Sequence, residues 1–99
     1  MRIIAKKTLR EFWEQPQYRD AEQSLKAWYK VTEAADWATP ADVKAAYGNA
    51  SILANHRVCF NISGNKYRLV VHINYPYRVV YIRFIGTHVA YDIIDANTV

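Results

Sequence analysis

The sequence is short of the residues that build several kinds of protein. Its one cysteine, Cys59, cannot close an internal disulfide and fits a reducing compartment. Gly48, Gly64 and Gly86 stand apart from one another, so there is no glycine-rich loop to cradle a phosphate. No apolar run approaches the roughly 18 residues of a membrane span. Lys6 and Lys7 break the apolar start after Ile3-Ile4-Ala5, far short of a signal peptide. These absences predict a soluble cytoplasmic protein. Carboxylates are missing from a long stretch, with none between Asp42 and Asp92. A carboxylate cluster is the usual mark of a magnesium-dependent nuclease, so its absence there favours metal-independent chemistry. Cys59 and the histidines show no zinc-ligand spacing either. We expect no metal and no cofactor.

The residues present describe a small basic domain. Ninety-nine residues allow one domain, 1–99, and 52% hydrophobic residues suffice for its core. The formal net charge of +4 favours an anionic partner. Eight tyrosines outnumber three phenylalanines. Tyrosine suits a half-wet surface, where its ring packs while its hydroxyl meets water or ligand.

Periodicity divides the chain. Residues 2–5 are a short strand candidate. From Lys6 to about Asp36 the composition turns helical, with Leu9, Phe12 and Trp13, then Leu25, Trp28 and Tyr29, at helical spacing. Pro16 splits that stretch into two helices near residues 15–18. Thr39-Pro40-Ala41-Asp42 reads as a capped helix start, and Gly48-Asn49 as its stop. Beyond residue 56 the period becomes two, giving strands over 57–62, 66–75 and 78–85. Ser63-Gly64-Asn65 and the segment around Pro76 are turns short enough to make these strands antiparallel neighbours. Residues 87–96 suit a helical turn or a last short strand. The predicted class is α+β: a short N-terminal strand and helices packed on an antiparallel sheet of three to four strands.

Sorting the strands by face is informative. Val58, Phe60, Ile62, Tyr67, Leu69, Val71, Ile73, Val80, Ile82 and Phe84 form one apolar face, expected against the helices. The other carries Arg57, Cys59, Asn61, Lys66, Arg68, Val70, His72, Tyr81 and Arg83, with His56 and His88 in flanking loops. Basic residues on a wet sheet face often do no more than keep it soluble. A merely soluble face usually mixes both signs, however, and the missing carboxylates point to a phosphate backbone, with rings available for base stacking. On this basis Arg57, Asn61, Arg83, His56 and Tyr81 are candidate RNA contacts.

Cutting RNA requires a proton taken from the 2′-hydroxyl, a proton given to the leaving 5′-oxygen, and stabilisation of added negative charge. Histidine, lysine and tyrosine serve as acid or base when neighbours tune them. Arginine grips two phosphate oxygens at once. His88, after a strand end, is a better functional candidate than mid-strand His72. Cys59 is expected to pack rather than act as a nucleophile, and Trp13, Trp28 and Trp37 to serve the core.

The series Arg57-Val58-Cys59-Phe60-Asn61-Ile62, Gly64-Asn65-Lys66-Tyr67-Arg68-Leu69-Val70, Tyr81-Ile82-Arg83-Phe84-Ile85-Gly86-Thr87-His88 and Tyr91-Asp92 resembles the HigB family of toxins, within the RelE-like mRNA interferases. The resemblance runs from about Ile3 to Asp95. It implies a RelE-like fold, ribosome-dependent cleavage of mRNA in the A site to leave a cyclic phosphate, no cofactor, and neutralisation by a HigA-type helix-turn-helix antitoxin. By position, Arg68 is similar to the phosphate-binding arginine, His88 to the basic residue after the last strand's glycine, and Tyr91 to the C-terminal aromatic of acid–base work or stacking. Lys66 and Arg83 complete the implied positive site. The family segment T-H-A-E-Y-D reads Thr87-His88-Val89-Ala90-Tyr91-Asp92 here, without the glutamate. Two other functions stay open at this point: a binding module derived from such a toxin, and a toxin with a different target such as DNA gyrase.

Overall fold

The computed structural model describes residues 1–99. Strand β1 (Arg2–Ile4) leads into helix α1 (Lys6–Trp13), which buries Leu9, Phe12 and Trp13, the residues whose spacing marked one helical face. Pro16 stops that helix and opens a 3₁₀ segment, Pro16–Ala21, from which α2 (Glu22–Ala34) continues and buries Leu25, Trp28 and Thr32. Helix α3 (Pro40–Ala46) starts as its sequence predicts. Thr39 Oγ1 accepts from the Asp42 amide at 3.4 Å, and the Asp42 carboxylate accepts from the Thr39 amide at 3.1 Å, a reciprocal capping box.

The second half of the chain is the sheet. Strands β2 (Ser51–Ile52), β3 (Arg57–Ile62), β4 (Tyr67–Asn74) and β5 (Val79–Thr87) form an antiparallel meander, and the spatial order is β1-β5-β4-β3-β2. Strand β1 lies parallel to β5, with Ile3 opposite Val80. The predicted α+β class is the one observed. The sheet has five strands rather than three or four, because β2 is a two-residue edge strand too short to show alternation. The segment after β5, left open between helix and strand, is helix α4 (His88–Asp92).

One face of the sheet carries the helices. Val58, Phe60, Ile62, Tyr67, Leu69, Val71, Ile73 and Val80 join Leu9, Phe12, Trp13, Leu25, Trp28 and Trp37 in a single core. Phe60 is its aromatic hub, 5.4 Å from the Trp28 ring and 6.1 Å from Trp37. The three tryptophans are therefore core residues, as expected.

The register departs from simple alternation at one place. Val70 opposes Phe84 while Val71 opposes Ile82, so Arg83 is an extra residue, a β-bulge. Beyond the bulge the alternation of β5 is reversed. Ile85 packs against the main core, and Phe84, expected there, lies on the opposite face. That second face is also not bare. The chain after α4 returns across it, and Cys59, Val70 and Ala96 are buried there, packed by Leu53, Phe84, Tyr91 and Val99. This small second core divides the polar face into two ends.

Candidate functional site

Opposed residues in paired strands share a face, so the register lays out the open side in three rungs. The first holds Asn61, Arg68 and Gly86, the second Cys59, Val70 and Phe84, and the third Arg57, His72 and Tyr81. The middle rung is the apolar cluster. The first and third carry the polar chemistry, separated along β4 by about 13 Å at strand rise.

At the first rung, Arg68 donates through Nη1 to the Asn65 carbonyl at 2.8 Å, which props the guanidinium against the β3–β4 turn. No carboxylate pairs with it. Gly86 stands opposite and carries the Phe84 ring: a Cβ there would sit 2.6 Å from Phe84 Cζ. Helix α4 starts one residue later, capped by Thr87, whose hydroxyl accepts from the Ala90 amide at 3.1 Å. The His88 amide donates to the Lys66 carbonyl at 3.3 Å, tying α4 to the start of β4. One helical turn places His88, Tyr91 and Asp92 on one side. His88 Nδ1 lies 3.4 Å from Asp92 Oδ2, which leaves Nε2 for a substrate. Tyr91 packs against the Cys59, Val70 and Ala96 cluster, with Arg68 nearby. Burial, then the Cys59 thiol, holds its phenol above the ordinary tyrosine range, so it stays protonated at neutral pH. Burial likewise pushes the Cys59 thiol up, which suits packing and not nucleophilic attack.

Lys66 is placed differently from its expected position beside Arg68. Its ammonium pairs with Asp20 of the 3₁₀ segment, and the Tyr67 hydroxyl donates to the same carboxylate at 2.5 Å. Those two hydrogen bonds, the Lys66 one first, lower the Asp20 pKa, and Asp20 raises that of Lys66. The sheet-face pattern missed this because Lys66 precedes β4, where alternation no longer fixes direction.

The third rung collects the remaining predicted contacts. His72 lies between His56, at 6.3 Å between ring centroids, and Tyr81, at 5.9 Å. Arg83, at the bulge, lies over the Tyr81 ring at 5.7 Å, and no carboxylate pairs with it. Arg57 is occupied by main-chain oxygens, donating to Val99 at 2.9 and 3.2 Å and to Asn55 at 2.9 Å. The expected site is thus two clusters: Asn61, Arg68, His88 and Tyr91 at one end, and His56, Arg57, Tyr81 and Arg83 at the other. No group of three or more His, Cys, Asp or Glu is arranged to hold a metal.

Comparison with protein families bears on what such a surface is for. The model of the HigB toxin family, described as the RelE-like toxic component of a toxin-antitoxin system, matches residues 21–94. The chain belongs to that family. Set against curated proteins, the chain has no match. A HigB toxin has an antitoxin partner, and the matched span takes in both polar clusters of this one. Two of the toxin's site features went unnoticed in its sequence. Asp92 was visible as the i+4 partner of His88 once that segment is helical, whereas Phe84 was hidden by the bulge, which has no residue signature of its own.

Proposed function

We propose that the toxin is a ribosome-dependent, metal-independent endoribonuclease that cuts mRNA in the ribosomal A site and so stops translation. The observation that carries this reading is Arg68: a guanidinium free of any carboxylate, propped on the β3–β4 turn near Tyr91 of α4, the helix that His88 begins. A phosphodiester bound at Arg68 has its charge balanced by a donor that cannot lose its proton. His88 Nε2, with Nδ1 turned toward Asp92, takes the proton of the 2′-hydroxyl. The 2′-oxygen attacks phosphorus, the bond to the 5′-oxygen breaks, and the leaving oxygen takes a proton from the Tyr91 phenol. The products are a 2′,3′-cyclic phosphate and a 5′-hydroxyl, with no net redox change. Asn61, opposite Arg68 on β3, positions the substrate backbone. In this mechanism Asp92 orients His88 in a segment that lacks the family's glutamate. Lys66 contributes charge at the rim, and Arg57, Arg83, His56 and Tyr81 hold the strand further along the face. The antitoxin is of the helix-turn-helix HigA type.

The test is inducible expression in bacteria of wild type beside Arg68→Ala, with transcript 5′ ends mapped after induction. Growth arrest and new ends inside translated messages, for wild type alone, are the expected result. Soluble wild-type protein with normal growth and intact transcripts would instead mark a binding module without catalysis.

A further inference from the structure

The end of the open face remote from Arg68 holds a cavity of about 290 Å³ lined by His56, His72, Ile73, Asn74, Tyr75 and Pro76. Cavities for small ligands start near ~300 Å³, so this one has room for a single ring system and not for a whole cofactor. Its walls are planar. The His56 and His72 rings are 6.3 Å apart and tilted by 30°, less than the roughly 7–8 Å that contacts to both faces of an inserted ring require, so together they make one aromatic wall. Tyr75 meets His56 edge-on at 6.2 Å, and Pro76 supplies apolar surface.

The polar groups in these walls suit a neutral, directional ligand edge. His72 Nδ1 is buried without a hydrogen-bond partner. Burial, then Arg57, Arg83 and His56, lowers the His72 pKa, so its ring is neutral at pH 7 with one donor and one acceptor nitrogen. Asn74 Oδ1 accepts from the Tyr77 amide at 3.3 Å, which leaves its NH₂ hydrogens free. Backbone geometry also holds the wall in place. Asn55 and His56 both adopt left-handed conformations, φ +58° and +59°, uncommon outside glycine and frequent at binding sites. The His56 carbonyl accepts from the Ile73 amide at 2.9 Å, fixing that strained turn over the cavity. Arg83 stands just outside, without an acidic partner.

We propose that this cavity is a base-binding subsite: one unstacked nucleobase of the RNA stacks against the wall made by His56 and His72, its polar edge meets Asn74, and an adjoining phosphate sits on Arg83. The inference rests on the endoribonuclease reading for why RNA crosses this face, and the subsite gives the toxin a means of choosing among bases at a fixed distance from the cut. Stacking tolerates any base, whereas the Asn74 amide discriminates between base edges.

The experiment titrates the full-length protein with each of the four nucleoside 5′-monophosphates, and with ribose 5-phosphate as a probe without a base, following the histidine ring NMR signals. At least one nucleotide shifts the His56 and His72 signals, and ribose 5-phosphate does not. Asn74→Ala and His56→Asn (asparagine tolerates the left-handed turn) raise the Kd by at least about fivefold, the lower end of a stacking contact. Arg68→Ala leaves it unchanged. Unchanged melting temperatures of the variants show that they are folded. Nucleotides that bind no better than ribose 5-phosphate, or binding lost in Arg68→Ala and kept in Asn74→Ala, overturn the subsite. A wild type that binds nucleotides yet cuts no message overturns the endoribonuclease reading and leaves the subsite standing. One that cuts messages and binds no nucleotide does the reverse.

Discussion

Single side chains decide which basic residues of the sheet half are available to RNA. Arg68 and Arg83 have no carboxylate partner, while Lys66 and Arg78 are held by Asp20 and Asp36. The Asp20–Lys66 pair has a defined dependence on pH. Asp20 is lowered from its usual 3.8, so the stability it contributes is complete above that value and is lost as pH falls through the folded pKa beneath it. Lys66 is raised from 10.5, so its share is complete below that value and is lost as pH rises through the folded pKa above it. We expect Asp20→Asn to melt below wild type by a gap that is constant from pH 5 to 10, closes toward pH 3 and narrows again above pH 10.5. Both groups are exposed and screened, so the gap is small at any pH. Thermal melts across the range check this, and a gap that is the same at pH 3 as at pH 7 would rule the pair out as a source of stability. Nothing in the sequence disclosed this pair. Asp20 and Lys66 are 46 positions apart in elements whose relative placement is set by the core, so only the folded arrangement brings them together.

At the scale of elements, local chemistry was readable wherever a residue type enforces a backbone state. Pro16 ended α1, and Thr39 with Asp42 capped α3. The alternation of β3 and most of β4 placed their side chains on the correct faces. The bulge at Arg83 was not legible, since one inserted residue changes the phase of a strand while leaving its composition ordinary. Its consequence is large: Phe84 moves beside the candidate site and covers Gly86, opposite Arg68. Helix α4 depends on a comparably small feature. It is five residues long, buries none of them, and has one side-chain cap, Thr87. Removing a threonine cap costs about 1 kcal/mol, a large fraction of what holds one helical turn. Thr87→Ala is expected to lower Tm by no more than about 4–8 °C while message cleavage falls roughly tenfold to a hundredfold, because His88 and Tyr91 lose the placement that α4 gives them. Thr87→Ser keeps the cap and is expected to restore both. Cleavage rates measured beside melting curves separate the two effects, and an active Thr87→Ala protein would remove α4 from the catalytic arrangement.

Across the whole molecule, charge is divided between two halves that partly neutralise each other. Seven of the nine carboxylates lie at or before Asp42, in the helical half, and only Asp92 and Asp95 follow. Two of those seven reach the sheet half to hold Lys66 and Arg78. The helices therefore subtract two positive charges from the five basic residues of the sheet segment 57–83, and Arg57 is engaged by main-chain oxygens. What remains for an incoming phosphate backbone is Arg68, Arg83 and, by exchanging its carbonyl partners, Arg57. Each phosphate neutralised on a single strand contributes about −0.7 to the slope of log K against log salt. Binding of a 2′-deoxy, uncleavable strand is therefore expected to show a slope of about −2, and Arg83→Gln to reduce its magnitude by about 0.7. A wild-type slope near −3.5, roughly five contacts' worth, would mean that Lys66 and Arg78 abandon Asp20 and Asp36 when RNA arrives. The helical half would then act as a counter-charge displaced by substrate, and Asp20→Asn would strengthen binding at low salt. With the smaller slope, Asp20→Asn leaves binding unchanged, and the two carboxylates confine RNA to the track between the Arg68 site and the His56–His72 cavity.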